Sequence, residues 1–396
     1  MATLRNNVLG IEFENPFILA SAPPTASIES IDKAFELGWG GAVLKTITPD
    51  NLELNEVSPR YSVLKDKDKT IGFQNVELLS HESVEYWCKG IKYLKEKHPT
   101  KVVIASIMAP VEKDLWQDLV KTLNETPIDA FELNFSCPHG MPERNIGMAI
   151  GTSAEISILI TSWVKAVATK PVFVKLTPNV TDVTWISKAV ERAGADGFSL
   201  INTVLGFMGV NLDTLQPKLC VNGLTTYGGC SGKIVKPIGL RCVSQVRNTS
   251  NLPIMGMGGI STWEDAAEYI LLGSDVVQVC SEVMLNGYSI IKSLKSGLLN
   301  YMESQCLDNI AQMKGLVSNK ITTHEKLDKN FQLYPSVDSE KCITCGKCVN
   351  ICSESEHKAL SKQDCITVDK NKCVGCSLCS LVCPRDAIIM EQANLE

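Results

Sequence analysis

Ala130-Phe131-Glu132-Leu133-Asn134-Phe135-Ser136-Cys137-Pro138-His139-Gly140 changes character half-way along. Residues 130–134 are a short, mostly apolar run of the kind that makes a buried strand, and the proline and glycine that follow mark a loop. The same change recurs up to about residue 300. Further candidate strands are Phe17–Ala20, Ala42–Lys45, Val102–Ile107, Val172–Leu176, Gly197–Asn202, Ile254–Gly256 and Val276–Cys280. Amphipathic stretches lie between most of them, at Leu115–Leu123, Ser153–Ala168, Thr184–Ala193 and Trp263–Leu272. Alternating strands and helices imply a parallel sheet, and eight strands of this spacing fit a closed (β/α)8 TIM barrel. A doubly wound open sheet is the alternative. The polar residues favour the barrel, because they bunch where strands end: Ala20-Ser21, Lys45-Thr46, Asn134 to Cys137, Lys175, Asn202-Thr203, Gly258-Gly259-Ile260 and Ser281. In a barrel all of these meet at one mouth, whereas an open sheet would spread them along an edge.

The end of the chain is of another kind. Cys342, Cys345, Cys348 and Cys352 form one run, and Cys373, Cys376, Cys379 and Cys383, followed by Pro384, form a second. Each is C-x2-C-x2-C-x3-C, the spacing that holds paired [4Fe–4S] clusters, in which the fourth cysteine of each run ligates the other cluster. One cluster is therefore expected on Cys342, Cys345, Cys348 and Cys383, and the second on Cys352, Cys373, Cys376 and Cys379. A disulfide framework or zinc sites are the alternatives, but zinc usually pairs two C-x2-C knuckles. The expected organisation is a barrel over residues 1–305, a polar connector with one short helix over 306–335, and a small α+β, bacterial-ferredoxin-like two-cluster domain over 336–396.

Bulk properties exclude several classes. A net charge of −6 over 396 residues argues against a nucleic-acid surface. No stretch nears eighteen consecutive apolar residues, so no membrane span is expected. The first residues lack the apolar core of a signal peptide, and sixteen cysteines without one point to a reducing cytoplasm.

The barrel mouth carries the chemistry. Glycines at 258 and 259 allow a phosphate close to the backbone after the seventh strand. Lys45 and Lys175 stand at strand ends facing the same mouth; they are either surface residues or buried cations with a ligand to serve. A flavin is such a ligand, since its N1–O2 edge turns anionic on reduction. No G-x-G-x-x-G follows a strand and no Walker loop occurs, so no nicotinamide or ATP site is expected on this chain. Cys137, on a loop past a strand end, is a candidate general acid, because a thiol with a reference pKa near 8.5 is mostly protonated at neutral pH. The alternative is an inert core cysteine. His139 reads as a residue that orients this loop. Asn75, Asn134 and Asn202 each offer amide donors and an acceptor, which suits a ring edge that alternates N–H and C=O, such as a pyrimidine.

Taken together, GFQNVELLS, FELNFSCPHGMPERNIG, VKLTPN, INTVLGFMG, TTYGGCSG and MGGI resemble the dihydroorotate dehydrogenase superfamily of FMN barrels. Within it they look like the dihydropyrimidine dehydrogenases, and with the two-cluster tail like the FMN and iron–sulfur subunits of the bacterial NAD-dependent enzymes. The resemblance implies that Ser21, Lys45, Thr46, Lys175, Gly232, Gly258, Gly259, Ile260 and Ser281 contact FMN. It implies that Asn75, Glu77, Asn134, Ser136, Asn202 and Thr203 hold the pyrimidine and that Cys137 is the general acid. Glu77 separates the pyrimidine enzymes from the dihydroorotate ones, which tend to have glycine there. Pro142, Asn145 and Ile146 stand where glycines or smaller residues are common, and Ser353 follows the first cysteine run where proline is usual. The implied activity is that of an oxidoreductase on a CH–CH bond: hydride from FMN to C6 of uracil or thymine, and a proton from Cys137 to C5. Electrons would come through the clusters from an FAD-bearing, NADH-oxidising partner subunit, in a two-plus-two assembly built on a homodimer of this chain. A dihydroorotate dehydrogenase with a fused ferredoxin, or an electron-transfer subunit without its own substrate, are the competing readings.

Overall fold

The computed structural model describes residues 2–137 and 146–392. They fall into two compact units, Met1–Ile321 and Thr322–Glu396.

In the first unit, eight parallel strands close a barrel in sequence order. They are β1 (Phe17–Leu19), β2 (Gly41–Val43), β3 (Val102–Ile107), β4 (Ala130–Asn134), β5 (Val172–Lys175), β6 (Gly197–Leu200), β7 (Ile254–Met257) and β8 (Val276–Val279). Pairing of β8 with β1, Val277 opposite Phe17, closes the ring and excludes the open sheet. All eight strands are buried at every position, which is why they read as continuous apolar runs. The helices between them are set by local signals. Ser27, Ser83, Ser153 and Thr262 each accept a backbone N–H at a helix start, which satisfies one of the donors a helix leaves open there. Over Lys113–Asn124 the stripe Trp116, Leu119, Val120 and Leu123 is buried against the barrel, at about 1.5–3 kcal/mol for each such side chain. At the strand starts, Val8 and Phe13 of an N-terminal hairpin pack with Ile18, Val43, Ile104, Phe173 and Val276.

One element was not foreseen. Tyr61–Asp66, Lys69–Asn75, Val204–Gly206 and Gly228–Ser231 form a four-stranded antiparallel sheet. Its strands come from the segments that follow β2 and β6, so it stands at the C-terminal ends of the barrel strands. Further on, Ile310 and Met313 are fully buried in the barrel's outer core, and Gly315 and Val317 donate to the carbonyls of Ile270 and Leu271.

The second unit has the expected α+β make-up. Leu333–Val337 pairs with Ile388–Gln392, and Leu360–Lys362 with Ile366–Val368. Helices Lys347–Glu354 and Leu378–Leu381 carry the last cysteines of each run or lie just before them. Its small core is built mostly of Cys348, Cys352, Cys379, Leu360, Ile366 and Ile388. Among the described residues, no helix is long and apolar enough to cross a membrane.

Candidate active site and cluster sites

A cavity opens where the barrel strands end. Its wall includes Ser21, Lys45, Thr46, Lys175, Gly232, Gly258, Gly259, Ile260 and Ser281, together with Asn75, Glu77, Asn134, Cys137, Asn202 and Thr203. Of the described residues assigned to FMN or the pyrimidine from the sequence, Ser136 alone does not line it. Ser136 is fully buried and donates both its backbone N–H (3.2 Å) and its hydroxyl (2.9 Å) to Asn134 Oδ1. His139, Pro142 and Asn145 lie outside the described residues.

Thr46 is the hub of the floor. Its hydroxyl is 3.1 Å from Ser21 Oγ and 3.0 Å from Ser106 Oγ, and it accepts from Asn134 Nδ2 at 3.0 Å. The Asn134 carbonyl is thus taken by Ser136 and one amide hydrogen by Thr46, which leaves the second amide hydrogen for a ligand. Asn75 is fixed in the same way: it donates to the Gly229 carbonyl at 3.0 Å and accepts from Glu77 N at 3.3 Å. Asn202 and Thr203 sit on a turn that Asn179 pins, through Nδ2 to the Thr203 carbonyl (3.2 Å) and Leu205 N to Oδ1 (2.8 Å). Cys137 is 6% exposed, and its carbonyl accepts from Met148 N at 2.9 Å. Its backbone is therefore held at the base of the loop.

Both lysines are buried, Lys45 at 6% and Lys175 at 3% exposure, so the surface reading of them is excluded. Lys45 Nζ lies 3.2 Å from Glu77 Oε1, and Arg60 Nη1 lies 3.3 Å from Glu77 Oε2. Burial and then the Glu77 carboxylate push the Tyr61 phenol well above its usual value, so it stays a hydroxyl. Lys175 faces Glu132, Nζ to Oε1 3.6 Å, and Glu132 Oε2 accepts from Gln278 Nε2 at 3.0 Å. Cys280 is also on the wall; burial pushes its thiol up to about 11 against the pull of Lys175 and Lys45. Arg60, Tyr61, Glu132, Asn179, Gln278 and Cys280 were missed from the sequence, since each gains its meaning from a partner far away in the chain.

On the β7–β8 side the backbone shapes a cradle. Gly232 and Gly259 have φ of +88° and +75°, and a Cβ on Gly259 would come within 2.9 Å of the Gly232 carbonyl oxygen. Tyr269 donates to the Gly258 carbonyl at 2.7 Å and fixes the turn. Such a surface of bare backbone lets a phosphate approach.

Eight of the cysteines of the second unit surround two hollows. Cys342, Cys345, Cys348 and Cys383 line one, and Cys352, Cys373, Cys376 and Cys379 line the other. The fourth sulfur of each run crosses to the other set and accepts a backbone N–H there: Ala359 N to Cys352 Sγ at 3.3 Å and Ala387 N to Cys383 Sγ at 3.2 Å. Among the described residues, no three His, Cys, Asp or Glu side chains close on a single metal ion. Sulfurs standing around a hollow fit a cluster rather than one zinc.

The dihydroorotate dehydrogenase family model matches residues 3–302. The chain belongs to the dihydroorotate dehydrogenase family. Within this family member, a 4Fe-4S dicluster domain matches residues 335–390. The chain is 40% identical over 355 residues to the NAD-dependent dihydropyrimidine dehydrogenase subunit PreA of Escherichia coli K12, which covers 89% of this chain and 85% of that one. It is 38% identical over 334 residues to the chloroplastic dihydropyrimidine dehydrogenase (NADP(+)) of Arabidopsis thaliana, covering 81% and 78%. It is 34% identical over 315 residues to the catalytic subunit of dihydroorotate dehydrogenase B (NAD(+)) of Pyrococcus abyssi, covering 79% and 98%. This family member is an oxidoreductase, with FMN and [4Fe–4S] clusters as its cofactors. The residues present fit FMN: a glycine cradle for the phosphate, a buried ammonium at Lys175, and a buried Gln278 Oε1 with no partner among the described residues.

Proposed function

We propose that this chain reduces the 5,6 double bond of uracil or thymine to the dihydropyrimidine. One observation carries the reading: Cys137 and the amides of Asn75, Asn134 and Asn202 share one cavity with two buried lysines. Asn134 and Asn75 are locked by their own hydrogen bonds, so their remaining amide hydrogens are aimed before any ligand arrives, which lowers the cost of binding. Asn202 and Thr203 add polar groups from the turn after β6. The Cys137 thiol, rooted beside them, donates the proton to ring carbon C5. When bound, FMN supplies hydride chemistry at C6 and the clusters supply its electrons. Lys45, Thr46, Ser21, Lys175, Gly232, Gly258, Gly259, Ile260 and Ser281 hold the cofactor in this reading. In this reading Glu77, held between Lys45 and Arg60, is a further polar group on the substrate wall.

The reading assigns NADH oxidation to a separate FAD-bearing chain, in line with the name of the bacterial relative as a subunit; the assembly is two plus two. The test is anaerobic: the holo chain is reduced, and uracil, thymine and orotate are added in turn. Uracil or thymine should reoxidise the flavin, and orotate should not. Cys137→Ala should keep its cofactors and lose about 10²–10⁴-fold in turnover; near-normal turnover would remove the acid role.

A further inference from the structure

Below the cavity, inside the barrel, sits a charged side chain that touches no substrate. Glu132 is 0% exposed, on β4. A lone buried carboxylate is costly unless its charge is answered, and here the answer is divided. Gln278 Nε2 donates to Oε2 at 3.0 Å and to Ser199 Oγ at 3.3 Å. Oε1 has no hydrogen bond among the described residues and faces Lys175 Nζ at 3.6 Å. That distance is too long for a hydrogen bond but short for an ion pair in a dry interior. Lys175 is therefore neutralised from below, while its N–H donors, which take no hydrogen bond among the described residues, remain for the cavity that Lys175 lines.

We propose that Glu132 is a positioning and charge-balancing residue, acting through Lys175 to set the potential at which the flavin in this cavity takes up electrons. An oxidised flavin takes two electrons and one proton and ends with one negative charge. A bare ammonium beside it would favour that charge strongly; one that shares its field with a carboxylate favours it less. Gln278 orients Glu132 by donating to the oxygen that Lys175 does not face. Gln278 Oε1, which has no partner among the described residues, is left so by keeping this amide turned toward Glu132.

The experiment is a spectroelectrochemical titration of the holo chain without any pyrimidine, so its result is independent of which substrate the enzyme takes. Glu132→Gln keeps the shape and removes the charge. The reduction equilibrium of the flavin should shift at least tenfold toward the reduced form, about 30 mV upward for a two-electron couple, with the cluster potentials unchanged. Glu132→Asp keeps the charge and should shift it by less than about threefold. An unchanged or lowered potential in Glu132→Gln overturns the proposal. So does a Glu132→Gln protein that fails to fold or to hold FMN while Glu132→Asp does both, since Glu132 would then be a structural residue.

Discussion

Gly259→Ala tests the cradle most directly. The new Cβ would lie 2.8 Å from Lys236 Cβ and 2.9 Å from both Lys236 N and the Gly232 oxygen. Two of these are backbone atoms, at the start of the helix Lys236–Arg247 and in the facing turn, so they cannot swing aside as a long side chain would. The φ of +75° adds strain of roughly 1–2 kcal/mol for any residue with a Cβ, and forced contacts of this kind cost about 1–3 kcal/mol. Restricting the unfolded chain returns roughly 0.4–1 kcal/mol. The sum is a loss of about 1–5 kcal/mol. Gly10→Ala is the control: its φ of +82° imposes the same strain, but nothing lies within 4 Å of the added atom, so only about 1 kcal/mol should be lost. Urea unfolding followed by tryptophan fluorescence suits this comparison, because all six tryptophans lie between Trp39 and Trp263 and so report on the barrel. FMN retention on gel filtration should fall in Gly259→Ala and stay whole in Gly10→Ala. If the two variants unfold at the same urea concentration, the cradle is looser than the distances say and the reasoning fails.

Other outcomes follow from the crossed cysteines and from one surface carboxylate. Cys352→Ala should halve the iron content; adding Cys376→Ala should cost no more iron, whereas adding Cys345→Ala should remove the rest. A reversed pattern would mean that each run keeps its own cluster. Asp32 loses by burial but gains more from hydrogen bonds with Lys97, His98 and Tyr93, so its pKa lies below the usual 3.8. A lowered pKa stabilises the fold above the unfolded value and loses that effect as pH falls through the folded one. Asp32→Asn should therefore destabilise the barrel at pH 6 and make little difference near pH 2; equal losses at both would refute the ionic origin.

The eight barrel strands were legible because both of their faces are covered, which writes each as an apolar run that no surface strand imitates. The helix Trp263–Leu271 was legible to within a residue from its amphipathic stripe, and in the structure a Thr262–Asp265 capping box fixes its start. The four-stranded sheet over the mouth was not legible. Tyr61–Asp66 is mostly half-buried and ends exposed, and Val204–Gly206 is too short for any period to declare itself. At the site, lysines and a cysteine at strand ends stand out in any sequence. Glu132 and Gln278 do not, because a single polar residue within an apolar run carries no sign of what faces it across the barrel. Arg60 matters only through Glu77, and Ser136 only through Asn134. Those pairings are made by the fold and leave no local trace.

The pairing of β8 with β1 also bears on how this chain is made. Its first barrel strand ends at Leu19, yet the neighbour that completes it starts at Val276. At about 5–20 residues per second of synthesis, β1 waits on the order of tens of seconds with one edge bare. The nascent barrel is thus an unclosed, sticky-sided arc for most of its time on the ribosome, and protection of that edge from other chains falls to whatever meets the polypeptide as it emerges.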